Sequence, residues 1–237
     1  MIQKILVSKE GKKFYVKDIS QDFHCQYGMV KKADLKKSKA KTNKGKELSV
    51  INANFLDNYE KIKRAPQIIP LKDIGAILTK TGIGKNSKVL DAGTGSGALA
   101  LMLGNFVKEV ITYEIREDFF KIAKKNFENF PNIKIKNKDL KDVKEKNFDL
   151  ITLDLPSPWE NIDKIAKSLK KGGYIVSYSP TIPQVMDFVE EIKKNSDLLY
   201  IETIEILERQ WEIQERKVRP RSQQIGHSGF LTFVRKI

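Results

Sequence analysis

The chain has 237 residues, 40% hydrophobic and 31% charged, with a formal net charge of +14. That size allows one main core and a smaller second domain. No apolar stretch reaches membrane-spanning length and no apolar signal core opens the sequence, so a cytoplasmic protein with no membrane partner is expected. Cys25 is the only cysteine, and His24 and His227 are the only histidines. Intrachain disulfides are thereby excluded, and no cysteine-cluster or multi-histidine metal site is expected.

Residues 1–62 read as a small β domain. Ile2–Ser8 and Lys13–Lys17 flank the turn Lys9-Glu10-Gly11-Lys12 as a hairpin, and Val50–Leu56 is a third apolar stretch. Residues 1–64 carry sixteen Lys/Arg against seven Asp/Glu, densest in Lys31–Lys41. Such a run either recruits a polyanion or is a solvated lysine-rich loop. A linker is expected near Asn58–Arg64, and residues 63–237 form the second domain.

Strands and helices then alternate. Lys88-Val89-Leu90 is a strand entering a glycine turn, Gly97–Phe106 a helix, and Glu109–Tyr113 a strand ending at Glu114. Glu117–Phe130 is a helix with Phe120, Ala123, Phe127 and Phe130 on one face. Ile133–Ile135 is a strand approaching Asp139. Phe148–Leu153 is a strand ending at Asp154, Trp159–Leu169 a helix stopped by Gly172-Gly173, and Tyr174–Tyr178 a strand. Val185, Phe188, Val189 and Ile192 mark another helix. Leu199–Ile213 and Gly229–Val234 read as a closing antiparallel pair. The pattern predicts an α/β fold: a seven-stranded, Rossmann-like methyltransferase domain behind the small β domain.

Two turns carry the chemistry. In Asp91-Ala92-Gly93-Thr94-Gly95-Ser96-Gly97-Ala98-Leu99 the glycines bring backbone amides close to a ligand. Its spacing also fits a relaxed dinucleotide fingerprint. Asp91 favours S-adenosyl-L-methionine (SAM), because an acid here accepts from the methionine ammonium directly or through water. Glu114 is placed to accept ribose hydroxyls in either cofactor class. Asp139, followed by Leu140, reads as an acceptor for an adenine amino group or as a helix N-cap. The second turn, Asp154-Leu155-Pro156-Ser157-Pro158-Trp159, fixes a carboxylate at a strand's carboxyl end beside an aromatic face. A carboxylate accepting from adenine N6 enriches N1 and stabilises the cation that methylation of N1 creates.

With Arg64-x-x-Gln67-Ile68-Ile69-Pro70-Leu71-Lys72-Asp73, Tyr113-Glu114-x-Arg116, Pro180-x-x-x-Gln184-Val185, Glu208-Arg209-x-Trp211, Arg219-Pro220 and Gly226-His227-Ser228-Gly229-Phe230-Leu231, the chain resembles the tRNA (adenine-N1)-methyltransferases acting on adenine 58 of the T-loop. The resemblance implies SAM as cofactor and a homotetramer whose small β domain helps hold tRNA. It implies Asp154 as the catalytic carboxylate and Gln67–Pro70 as a border of the cofactor pocket. Gln67, Trp159, Arg219 and His227 are the candidate substrate contacts, the arginine meeting phosphate; the other readings are Arg219 as a surface charge and His227 as a hydrogen-bonded turn residue. Adenine 57 is a second possible target. The alternatives are methylation of an exocyclic amine, a non-catalytic RNA-binding subunit and an NAD-linked dehydrogenase.

Overall fold

In the computed structural model, which describes residues 1–64 and 67–237, the amino-terminal hairpin forms where expected. Strands β1 (Lys4–Val7) and β2 (Lys13–Val16) pair antiparallel, Lys4 opposite Val16. Gly11, at φ +84°, donates to the Ser8 carbonyl and closes the turn. A short hairpin follows, β3 (Phe23–Cys25) with β4 (Gly28–Val30), then β5 (Lys39–Lys41) and β6 (Glu47–Asn52). The main sheet of this unit, Met1–Ile62, has the order β2-β1-β6-β5. Its core is Leu6, Val16, Val30, Leu35, Ala40, Leu48 and Val50. The lysine run is therefore not a loop throughout. Leu35, in a 3-10 turn, and Ala40, in β5, are buried, while Lys39 and Lys41 face solvent. Apolar anchors at that spacing order the backbone and leave the cations outside. Val50–Leu56 also divides: β6 ends at Asn52, and Asn54 starts helix α1 (Phe55–Tyr59) through a reciprocal capping box with Asp57.

The second unit spans Lys63–Ile237. Its elements are α2 (Leu71–Thr81), β7 (Lys88–Ala92), α3 (Ala98–Gly104), β8 (Glu109–Tyr113), α4 (Glu117–Asn126), β9 (Ile133–Lys136), β10 (Phe148–Leu153), α5 (Ile162–Ser168), β11 (Leu169–Ser179), α6 (Ile182–Lys194), β12 (Leu198–Glu205), β13 (Trp211–Gln214), β14 (Lys217–Pro220) and β15 (Phe230–Lys236). Seven strands form one sheet in the order β12-β15-β11-β10-β7-β8-β9. Strands β7 to β11 run parallel, and β15 enters antiparallel between β11 and β12. This is the expected seven-stranded methyltransferase sheet. The chain moves outward from β7 through β8 and β9, then returns to β10 on β7's other flank. That reversal opens a crevice at the carboxyl ends of β7 and β10, the usual ligand position in such sheets. Phe148, Ile151, Ile165, Phe188 and Val234 lie in the core that holds these ends rigid.

Two element boundaries differ from expectation. Strand β12 stops at Glu205, opposite Phe230, because β15 offers no residue beyond that pair. Trp211–Gln214 then belongs to a separate hairpin with β14. Helix α5 ends at Ser168, not at the glycine pair, since Leu169 already pairs with Phe148; Gly172, at φ +80°, lies within β11 near a register shift. No helix among the described residues is long and apolar enough to cross a membrane.

Candidate active site

Strand β7 delivers the chain into the glycine turn with Gly93, Gly95 and Gly97 all at positive φ. Gly93 has a second constraint: a Cβ there would stand 2.0 Å from the Asp154 carbonyl oxygen. The Asp154 amide also donates to Ala92 O at 2.9 Å, so the turns after β7 and β10 are tied backbone to backbone. A Cβ on Gly97 would meet the Phe127 ring at 2.5 Å, which explains a glycine that lies behind the cavity wall. Glu114 tightens the turn from the next strand, accepting from the Gly95 amide at 2.9 Å and the Arg116 amide at 2.8 Å.

Beneath the turn, Asp91 accepts from the Thr112 hydroxyl at 2.7 Å and the Thr152 hydroxyl at 2.8 Å. Burial raises its pKa. It is buried beneath the cavity lining, and its hydroxyl partners come from β8 and β10.

The crevice holds a cavity of about 360 Å³. Gln67, Ile68 and Ile69 form one side, Gly93–Ser96 with Ala98 and Leu99 the floor, and Glu114 and Asp154 the edges. An adjoining recess of about 210 Å³ lies between Glu114, Asp139, Leu140 and Pro156. Two polar groups here await a partner. Ser96 Oγ is buried with no hydrogen bond among the described residues. The Asp154 carboxylate receives no hydrogen bond from any described residue, and its pKa is pushed up to about 7, first by burial and then by the charge of Asp91.

Of the remaining expected residues, Asp139 and Leu140 lie where the sequence puts them, and Trp159, Arg219 and His227 are engaged within the fold. Asp139 accepts from the Lys141 amide at 2.9 Å, capping a 3-10 turn while also bordering the second recess with Leu140. Trp159 was expected as a stacking face, but the 3-10 turn Pro158–Asn161 lays it against the core and presents Glu160 and Asn161 to the recess. Arg219 lies on β14, its guanidinium on Glu212 at 3.0 Å across the hairpin. His227 donates from Nδ1 to Glu205 at 2.6 Å and from Nε2 to the Pro180 carbonyl at 2.8 Å. Two acceptors favour the imidazolium, and the Glu205 contact above all raises its pKa. Both nitrogens are engaged within the chain, as the reading of His227 as a hydrogen-bonded turn residue requires. Sequence reasoning missed Ile115 and Phe119 on the cavity wall. The available signal was an apolar residue directly after the strand-end acid Glu114.

Residues 60–219 match the family described as the tRNA methyltransferase complex GCD14 subunit. The tRNA (adenine(57)-N(1)/adenine(58)-N(1))-methyltransferase TrmI of Methanocaldococcus jannaschii is 35% identical over 98% of this chain and 94% of its own length. The chain belongs to the tRNA (adenine-N1)-methyltransferase family. The tRNA (adenine(58)-N(1))-methyltransferase TrmI of Thermus thermophilus is 32% identical over 83% of this chain and 80% of its own. Among solved structures, the tRNA (m1A58) methyltransferase TrmI of Aquifex aeolicus superposes with a TM-score of 0.79 at 30% identity, covering 99% of this chain and 96% of that one. A SAM-dependent O-methyltransferase of Thermotoga maritima gives 0.85 at 26% identity, covering 100% and 93%. As a member of this family the protein is a tRNA (adenine-N1)-methyltransferase enzyme, and its cofactor is S-adenosyl-L-methionine. The site fits that cofactor: an orphaned buried hydroxyl at Ser96, a glycine turn that lines the cavity with Gly93 and Gly95, and a strand-end carboxylate at Glu114.

Proposed function

We propose that this protein methylates N1 of adenine 58 in the tRNA T-loop, with Asp154 as the catalytic carboxylate. The observation carrying the proposal is Asp154 itself, a half-buried acid at the switch-point crevice with no hydrogen-bond donor among the described residues. SAM supplies an electrophilic methyl group when bound. Asp154 accepts from the adenine N6 amino group, orients N1 and lowers the energy of the positive charge that grows on the ring. Gly93–Leu99, with Ser96 Oγ, hold the cofactor. The remaining lone pairs of Glu114 take its ribose hydroxyls, and Asp139 and Leu140 border its base. Gln67, at the cavity rim, faces the incoming nucleotide. Adenine 57 is the second position to examine, because the M. jannaschii relative is named for both.

The lysines of the amino-terminal unit supply backbone affinity for tRNA in the cytoplasm. A homotetramer is supported by the β13–β14 hairpin. Trp211, Ile213, Val218 and Pro220 lie on one face by register, and the first three are more than half exposed. An isolated two-stranded hairpin is marginal in water, so this apolar face calls for a cover, which a second copy provides. Light scattering reporting a monomer would remove that part of the proposal.

The decisive experiment maps methylation on tRNA incubated with the enzyme and labelled SAM. N1-methylation blocks the Watson–Crick edge and stops reverse transcription at position 58. Label without any T-loop stop would refute the proposal and favour an exocyclic amine as target.

A further inference from the structure

Lys72-Asp73 and Ser228-Gly229 have no task in the cofactor cavity, yet they meet in the fold across 155 residues of sequence. Lys72 lies in the first turn of α2, where the helix dipole disfavours a cation, and Asp73 beside it is fully buried. The Lys72 ammonium donates to both Asp73 oxygens, at 2.8 and 2.9 Å, and to Ser228 Oγ at 2.6 Å. Ser228 Oγ in turn donates to Asp73 Oδ2 at 3.0 Å. The three side chains close a triangle that satisfies the buried carboxylate.

This triangle anchors a segment that lies along the end of β11. The Ser228 carbonyl accepts from the Tyr178 hydroxyl at 2.6 Å. Gly229 rests so closely on the Tyr178 ring that a Cβ would stand 2.4 Å from it. His227 donates to the Pro180 carbonyl at 2.8 Å. From the next helix, Gln184 Nε2 donates to Pro156 O at 3.0 Å, within the turn that carries Asp154. Tyr178 and Asp154 directly follow Ser177 and Leu153, which pair in the parallel register of β11 and β10. A buried ion pair contributes little net stability compared with apolar packing of the same volume, so stability alone is a weak reason for one here.

We propose that Lys72, Asp73 and Ser228 are positioning residues for methyl transfer: they fix residues 227–229 on the end of β11 and so hold Tyr178 in place beside Asp154 at the carboxyl ends of two adjacent parallel strands. The proposal rests on tRNA adenine being the substrate. Ser228→Ala deletes one corner of the triangle and leaves the Lys72–Asp73 pair intact. It should lower kcat on tRNA roughly ten-fold, the scale of one hydrogen bond to a charged group. SAM affinity by calorimetry should stay within about two-fold, because no corner of the triangle lines the cavity. Ser228→Thr keeps the hydroxyl and should restore kcat. The double variant Lys72→Met with Asp73→Leu replaces the pair by apolar side chains; it should fold with a similar melting temperature and show the same loss of kcat.

Wild-type kcat in Ser228→Ala, or failure of Ser228→Thr to rescue, overturns the proposal. So does loss of the fold in Ser228→Ala, which would make the group structural. A wild-type enzyme that makes no N1-methyladenine would instead sink the substrate reading, whereas active wild type matched by Ser228→Ala sinks the positioning role alone.

Discussion

Replacing Asp154 by Asn should make the protein more resistant to unfolding and nearly inactive at once. The fold raises this carboxyl from its ordinary 3.8 to about 7. At about 1.4 kcal/mol per pH unit, keeping it ionised costs the folded state about 4 kcal/mol. The sign follows from proton binding: the folded chain holds this proton more tightly than the unfolded chain. Its stability contribution is therefore intact below the unfolded value and is lost as pH rises from about 4 to about 7. An amide cannot ionise and escapes the loss, while its own desolvation cost is the same at every pH. Urea unfolding of both proteins at pH 5 and pH 8 should show the variant's relative stability increasing by about 2–3 kcal/mol between the two. A difference that is equal at both pH values would refute the claim that burial governs this carboxylate. In the wild type, kcat/KM should climb through pH about 7 as Asp154 ionises. The variant should lose kcat by about 100-fold or more while SAM affinity changes little; near-normal turnover would end its assignment as the catalytic carboxylate.

Three other perturbations probe the cofactor side and the amino-terminal unit. Gly93→Ala combines φ +89° with a Cβ 2.0 Å from a backbone oxygen; it should abolish SAM binding and lower stability by at least about 1–3 kcal/mol in thermal melts. Retained affinity would mean the two turns separate easily. Ser96→Ala removes the orphaned hydroxyl and should weaken SAM about five-fold by calorimetry without lowering the melting temperature, since the hydroxyl has no protein partner to lose; unchanged affinity would leave that group outside the cofactor's contacts. Charge reversal at Lys36, Lys39 and Lys41 should flatten the salt dependence of tRNA affinity, with a slope reduced by up to about three contacts' worth. An unaltered slope would assign these lysines to solvation.

The sheet and the cavity floor were legible because their signals are local. The apolar run Phe148–Leu153 and the strand-end acids Glu114 and Asp154 each announce a strand with a group at its carboxyl end. The glycine turn was readable for the same reason, since positive φ leaves a residue-type signature. Orientation was not. Whether Trp159 faces a ligand or the core depends on a 3-10 turn set by Ser157-Pro158, and no periodicity encodes that choice over four residues. The sequence leaves the roles of His227 and Arg219 open between substrate contact and the fold, because their partners, Glu205, Pro180 and Glu212, become neighbours only after β12, β14 and β15 are placed. The single strand inferred for Leu199–Ile213 failed similarly: its length is limited by the neighbour β15, not by its own composition.

Strand β15 follows every other strand of its sheet in sequence, yet lies between two of them. Both β11 and β12 are therefore synthesised before the segment that joins them. Until Phe230–Lys236 emerges, one border of β11 carries unpaired amides and carbonyls next to the apolar residues Ile175 and Val176. The nascent enzyme passes through an interval in which this apolar border is open, and a stall or truncation within that interval leaves a chain holding both turns of the active site but no closed sheet to carry them.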